Sequence, residues 1–216
     1  MTVTKVDGFF YLFNNMIALS LPNLKCYCHT LVSSLKKDNM DTQAVRLIKQ
    51  KNQWLSHHVD VDFPTQESLK GRELYLSSQE SKTFKTKLAS ELLDQASHYP
   101  IWLDDIVPVD FHRLTILFSV LQAKAWSNEP EQEKLIIEFL TQIILDEHYQ
   151  LYMGFKQGQP MMAMIAYKDD QTNSLLLSDV YTQQALLPEI YLPLIASMIH
   201  LYQTPNDLNM TVIYEA

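Results

Sequence analysis

The order of strands and helices expected in the second half of the chain constrains its fold most strongly. Three apolar, alternating segments, at residues 149–156, 161–168 and 174–182, are separated only by short turn sequences. Short turns join antiparallel neighbours, so these segments predict a three-strand meander. With helices on both sides of it, the order predicts an α+β fold with a mainly antiparallel sheet. The flanking elements are expected as helices from Asp110, as N-cap, to about Trp126, from Pro130 onward and from Pro188 to about Tyr202, and as a strand over 209–214.

The first half has a less regular pattern. Asp41 is a good N-cap for a helix that is expected to bury Val45, Ile48 and Leu55. Residues 65–82 are polar and ambiguous, with a helical turn and a short strand at 73–76 as the expectation. The other elements are expected as strands at 8–13, 24–33, 57–63 and 101–107, and as helices at 42–55 and 83–97.

Charge and glycine content exclude several classes of ligand. The chain carries 17 Lys and Arg against 25 Asp and Glu, for a net charge of −8, and no basic cluster is longer than Lys36-Lys37. Nucleic-acid binding depends on cations that neutralise phosphates, so no nucleic-acid partner is expected. Only four of the 216 residues are glycine. This excludes P-loop and dinucleotide-binding motifs, whose glycines let the backbone approach phosphate.

The N-terminal region predicts neither a membrane span nor a secretion signal. The apolar run at 9–21 is interrupted by two asparagines, and it falls short of the roughly 18 residues that a span needs. A lone Lys5 does not make the basic start of a signal peptide. Cys26 and Cys28 are too close for a useful disulfide, which fits a reducing compartment. We therefore expect a cytoplasmic protein without a membrane partner.

Two motifs of the meander carry a resemblance to a known family. The hairpin at 152–161 reads YMGFKQGQPM, and the end of the next strand at 178–182 reads SDVYT. Both are similar to motifs of the GNAT acyl-CoA transferase family. The resemblance implies that the strand at 174–182 separates from its neighbour near its end and that its free backbone groups there bind the pantetheine arm of coenzyme A. It implies a C-terminal GNAT-like domain at 99–216 and, more loosely, a degenerate related half at 1–98.

The stretch after this strand departs from the family pattern. The family opens its next helix with a glycine-rich loop, whose amides hold the pyrophosphate of coenzyme A by the usual logic of anions at helix starts. Here residues 183–189 read QQALLPE, without glycine or a basic residue. Glu189 places a negative charge in the first helical turn, which suits the helix dipole and opposes a pyrophosphate.

Two functions therefore stay open. One is a divergent acyltransferase that moves an acyl group from acetyl-CoA or another acyl-CoA to a small-molecule or protein amine. The other is a pseudoenzyme, a non-catalytic GNAT-fold binding or interaction protein that has lost coenzyme A binding. The fold alone does not decide between them.

The resemblance also implies the residues of a candidate site. Asp179 is the candidate base, because a strand-end carboxylate there can take a proton from an amine. Tyr214 is the candidate acid that would protonate the thiolate leaving group. Each of them also fits an ordinary strand end. The candidate binding segment for coenzyme A consists of Val180, Tyr181, Thr182, Gln183 and Gln184.

Two clusters contain metal-ligating residue types, but no metal site is predicted. On a strand, His58, Asp60 and Asp62 would share one face. Adjacent histidines and strand-end carboxylates are nevertheless common on protein surfaces. Cys26 and Cys28 are separated by one residue, whereas zinc sites usually place two to four residues between their cysteines.

The helix expected at 187–202 is apolar nearly all round. This exceeds the single buried stripe of a surface helix. It predicts either burial between the sheet and the N-terminal half, which we favour, or a homodimer interface.

Overall fold

The computed structural model describes residues 42–203 and 209–215. The chain divides into two compact units, Met1–Gln43 and Ala44–Ala216, and all described residues except 42 and 43 belong to the second. The strands expected at 8–13 and 24–33, the N-cap Asp41 and both cysteines lie outside the described residues. The elements in chain order are α1 (42–57), α2 (Gln66–Gln79), β1 (Phe84–Leu88), α3 (Ala89–Ala96), β2 (Asp105–Pro108), α4 (His112–Ala123), a 3-10 turn (Lys124–Trp126), α5 (Pro130–Leu140), β3 (Tyr149–Lys156), β4 (Gln159–Asp169), β5 (Ser174–Thr182), α6 (Pro188–Tyr202) and β6 (Thr211–Glu215).

The six strands form one sheet in the order β1-β6-β5-β4-β3-β2. The β5–β6 pair is parallel, and the other four neighbouring pairs are antiparallel. A parallel pair needs a crossover connection, which α6 supplies. The predicted α+β class with a mainly antiparallel sheet is confirmed.

Helices cover both faces of the sheet. Alternate residues of a strand point to opposite faces. Met164 of β4 packs among residues of α3 and α6, on what we call the first face. Its neighbour Ile165 packs among residues of α2, α4 and α5, on what we call the second face. α1 contributes Leu55 to this same side. Within the described ranges, no helix combines the length and apolarity needed to cross a bilayer.

Both predicted parts of the chain contribute strands to the sheet. β1 lies within 1–98 and pairs with β6 of 99–216, from Phe84 opposite Glu215 to Leu88 opposite Thr211. α6 packs against α3 and the first face, which buries much of its apolar surface. The GNAT-like origin of each part stays a prediction, and so does a homodimer.

Two predicted elements of the first half are wrong. Residues 57–63 are the end of α1 and an irregular turn, not a strand, and Phe63 is 94% exposed. Residues 83–97 are β1 followed by α3, not one helix. The ambiguous stretch 65–82 contains the 14-residue helix α2. Thr65 caps this helix, because its side chain accepts the N–H of Ser68 at 3.1 Å.

Two details of the predicted helices are also wrong. Asp110 is not the N-cap of α4, since Phe111 holds that position without a side-chain cap bond. Val45 is 66% exposed and does not belong to the apolar face of α1, whereas Leu55 is buried as expected and Ile48 is partly buried. The buried residues of α1 are Ala44, Leu47, Lys51 and Leu55.

Candidate functional site

β5 and β6 separate before β5 ends. Their parallel pairing stops at Leu177 opposite Tyr214, while β5 continues alongside β4. The register between β4 and β5 is interrupted between Ser178 and Tyr181. Within this interruption Asp179 has φ of 54°, a left-handed conformation that Asp tolerates better than most residues. We call this point of separation the fork.

A buried ion pair lies on the second face of the fork. The Nζ of Lys51 is 2.6 Å from Oδ2 of Asp179, and both side chains are fully buried. The hydroxyl of Tyr75 donates to Oδ1 of Asp179 at 2.6 Å, and the side-chain amide of Gln122 donates to its backbone carbonyl. Asp179 is thus held by α1, α2 and α4. Apart from the ion pair, Lys51 Nζ has no hydrogen-bond partner in the described part of the chain.

The charge state of Asp179 is fixed by these neighbours. Burial by itself would raise the pKa of this carboxyl. The charges of Lys51 and Lys82, together with hydrogen bonds from Lys51 and Tyr75, outweigh burial and lower the pKa to about 2. Asp179 is therefore ionised at neutral pH, and a proton added to it would break its pairing with Lys51.

A second carboxylate closes the gap between the strands at the fork. Glu215 accepts the backbone N–H groups of Asp179 and of Val180, the latter at 3.3 Å. The Nζ of Lys82 lies 2.9 and 3.0 Å from its two carboxylate oxygens. Burial, and then the charge of Asp179, raise the pKa of Glu215 against the opposing effect of Lys82.

A cavity of about 390 Å³ opens on the first face beside the fork. Its wall comes from β4, β5, β6, α6 and the segment before α6, and its polar rim comes mainly from β1 and the segment before it. The rings of Tyr191 and Tyr214 in its wall lie 6.3 Å apart and 24° from parallel. Burial raises the pKa of Tyr214, so its phenol keeps its proton at neutral pH. The lining residues are Ser81, Lys82, Thr83, Lys85, Met164, Leu177, Val180, Leu186, Tyr191, Leu194, Ile195, Tyr214 and Glu215.

The structure does not bring the candidate base and acid together. Tyr214 lines the cavity on the first face. The side chain of Asp179 is directed to the second face, where its partners Lys51 and Tyr75 lie. Val180 also lines the cavity, but its N–H is bound by Glu215.

The rest of the candidate binding segment is engaged locally. Tyr181 and Thr182 pair with β4, and the hydroxyl of Thr182 donates to the carbonyl of Gln184 at 2.6 Å. The N–H of Gln183 donates to the carbonyl of Met161 at 2.9 Å. The segment thus extends the pairing of β5 with β4 toward α6, which begins with Pro188 and carries Glu189 in its first turn.

Sequence reasoning missed four residues that build the fork. Lys51 carried a usable signal, because it stands one turn after Leu47 and one turn before Leu55, in the middle of an apolar stripe. The sequence around Tyr75, Lys82 and Glu215 gave no such signal. Their roles depend on pairing between distant segments, which no local pattern reports.

Two residues of the histidine and aspartate cluster have partners that do not belong to the fork. Nδ1 of His58 accepts the N–H of Ile144 at 3.3 Å, and Asp60 pairs with Arg72 at 2.8 Å. Since 57–63 is not a strand, His58, Asp60 and Asp62 do not share a strand face. Among the described residues, no group of three or more His, Cys, Asp or Glu is placed to hold a metal ion.

The fold and the site define an α+β protein with a parallel strand fork, a buried ion pair on one face and a cavity on the other. Comparison of the chain with protein-family models, with curated proteins and with solved structures found no match.

The raised pKa of Glu215 predicts a pH-dependent stability difference. Above pH 4.5 the folded chain binds a proton at Glu215 that the unfolded chain has released, so folding free energy is lost as pH rises through this window. We expect the stability of the wild type relative to Glu215→Gln to fall as pH rises above 4.5. Urea unfolding of both proteins at each pH measures the difference. A difference that grows with pH would contradict the assignment.

Proposed function

We propose that the chain is a non-catalytic binding protein whose fork cavity takes a small amphipathic anion. The observation that carries this proposal is the engagement of both carboxylates at the fork. Asp179 is paired with Lys51 and Tyr75 away from the cavity, and Glu215 is bound by two amides and Lys82. A general base must reach the proton that it removes, and neither carboxylate is free to do so.

The cavity lining supports the class of ligand. Small-molecule sites are mostly apolar and have a few placed polar groups, with volumes of roughly 300–1,000 Å³. The cavity of about 390 Å³ fits this range, and Met164, Leu177 and Ile195 line its interior. Lys85, exposed at the rim, adds a cation. A carboxylate with a short apolar chain matches both features.

A divergent acyltransferase is the second candidate. The parallel β5–β6 pair that separates at the fork, with Tyr214 in the adjoining cavity, favours it. The resemblance to the GNAT family would then place the acyl group of an acyl-CoA in the cavity. Against it stands the helix after β5, whose start has Pro188 and Glu189 where a pyrophosphate would need free amides.

Titration calorimetry with octanoate tests the first proposal. We expect saturable binding to the wild type. In Leu186→Trp we expect the affinity to be at least tenfold lower, because the indole ring is larger than the leucine side chain and would fill the cavity. Leu187→Trp is the matched control, since Leu187 is the next residue, is similarly exposed and does not line the cavity. No binding to the wild type at millimolar octanoate, or equal losses in both variants, would overturn the proposal.

Two further ligands separate the candidates. If Lys85 recognises the anionic end of the ligand, Lys85→Glu weakens the binding of octanoate and leaves the binding of 1-octanol unchanged. Lys49→Glu, an exposed substitution with the same change in charge, affects the binding of neither ligand.

Octanoyl-CoA with a panel of amines tests catalysis. Release of free thiol that is lost in Tyr214→Phe would support the acyltransferase instead.

A further inference from the structure

Two consecutive backbone amides at the fork point at one carboxylate. The N–H groups of Asp179 and Val180 both donate to Glu215, one to each oxygen. The left-handed conformation of Asp179 turns its N–H to the same side as the next one. Successive N–H groups in such a turn form a concavity that binds anions.

A cation completes this concavity. The Nζ of Lys82 contacts both oxygens of Glu215, at 2.9 and 3.0 Å. Two amides and one ammonium are the donor set expected for a carboxylate, because each oxygen receives a charge-assisted bond and a backbone bond. We call Lys82 and the amides of residues 179 and 180 the carboxylate seat.

The carboxylate seat borders the cavity. Lys82, Val180 and Glu215 all line it, and the side chain of Glu215 retains 10% of its exposure. A ligand in the cavity therefore lies next to the seat, with the resident carboxylate between them.

We propose that the carboxylate seat is a binding subsite for ligand carboxylates, which Glu215 occupies as an internal competitor and which a ligand enters by displacing it. The chemical class is a monocarboxylate, held by its two oxygens and extending its remainder into the cavity. For a ligand with an apolar chain, this inference rests on the proposed function. Carboxylate binding at the seat does not depend on the proposed function, because a carboxylate without an apolar chain can test the seat by itself.

Acetate titration of the full-length protein, followed by amide resonances in 15N-labelled samples, tests the seat. In Glu215→Ala we expect the resonances of residues 179 and 180 to shift saturably, with at least tenfold weaker apparent binding in the wild type. The amide of Gln183, which is bound to Met161, serves as the unaffected control. Adding Lys82→Met to Glu215→Ala is expected to weaken acetate binding at least tenfold.

Folded Glu215→Ala whose amides at 179 and 180 do not respond to acetate would overturn the inference, as would an equal response in the wild type. Should Glu215→Ala fail to fold, Glu215→Gln takes its place, because its amide keeps the shape and removes the charge. There the same contrast with the wild type is expected.

Octanoate separates the two proposals. Displacement of Glu215 predicts at least tenfold tighter octanoate binding in Glu215→Gln than in the wild type. If Glu215→Gln binds octanoate no more tightly than the wild type, and Leu186→Trp still blocks binding, the proposal of a ligand cavity stands and that of the carboxylate seat is rejected. Acetate binding at the seat without octanoate binding to any variant would retain the seat and reject the cavity.

Discussion

Replacing Lys51 by Met is expected to lower the free energy of unfolding by about 3–5 kcal/mol, because it leaves a buried carboxylate without its counter-charge. Lys51 and Asp179 are both fully buried, and their charged atoms lie 2.6 Å apart. The hydroxyl of Tyr75 and the charge of Lys82 remain in the variant, but Lys82 is paired with Glu215 and does not replace the direct ion pair with Lys51. Urea unfolding of the two proteins at pH 7 measures the loss.

The double variant Lys51→Met/Asp179→Asn is the control. It removes both charges, and Asn tolerates the left-handed conformation of residue 179 as Asp does. Replacing a buried ion pair by uncharged groups is often nearly neutral, so we expect the double variant to lose less than about 2 kcal/mol. A double variant that loses the sum of the two single losses would show that the charges do not interact.

The apolar segments of the second half could be predicted because each is long and bounded by turns. β3, β4, β5 and α6 all occur close to their expected positions. The Gln157-Gly158 turn between β3 and β4 has φ of 51° and 72°. Its glycine supplies the second of these conformations without strain.

The first half could be predicted less accurately, because its short sequence patterns fit both a helix and a strand. In β1, Phe84, Thr86 and Leu88 alternate with two lysines, a strand signal that the spacing of Leu88 and Leu92 obscured. In 57–63 the alternation was real, but none of the strands that the structure describes pairs with it. Val59 is buried at 2% exposure, but Val61 and Phe63, which a strand would place on the same face, are 56% and 94% exposed.

The candidate site could be predicted only in part. The sequence pointed to the end of β5 and to Tyr214, and the structure places both beside the fork. The face of the sheet on which the Asp179 side chain lies depends on the interrupted register of β5. The contact that bridges the fork depends on Glu215 and Lys82, which are 133 residues apart in sequence. Alternation along a strand predicts the face of the sheet on which a side chain lies, but it does not predict where the strand register is interrupted.

Replacing Gly71 by Ala is expected to destabilise the fold by at least about 2 kcal/mol, through a clash between two helices. An added Cβ would lie 2.0 Å from the backbone oxygen of Leu135 and 2.8 Å from the Cβ of Phe139. A backbone atom of α5 cannot turn aside, so α2 and α5 would have to separate. Urea unfolding of the variant measures the loss.

The sign of this effect identifies its cause. In an open helix, glycine to alanine stabilises by about 1 kcal/mol. Ser77→Ala, at an exposed position of the same helix, is the control and should change stability by less than about 0.5 kcal/mol. A stabilised Gly71→Ala would mean that α2 and α5 do not approach so closely. Because Tyr75 lies one turn after Gly71, displacing α2 also withdraws its hydroxyl from Asp179, so the same change should weaken the fork.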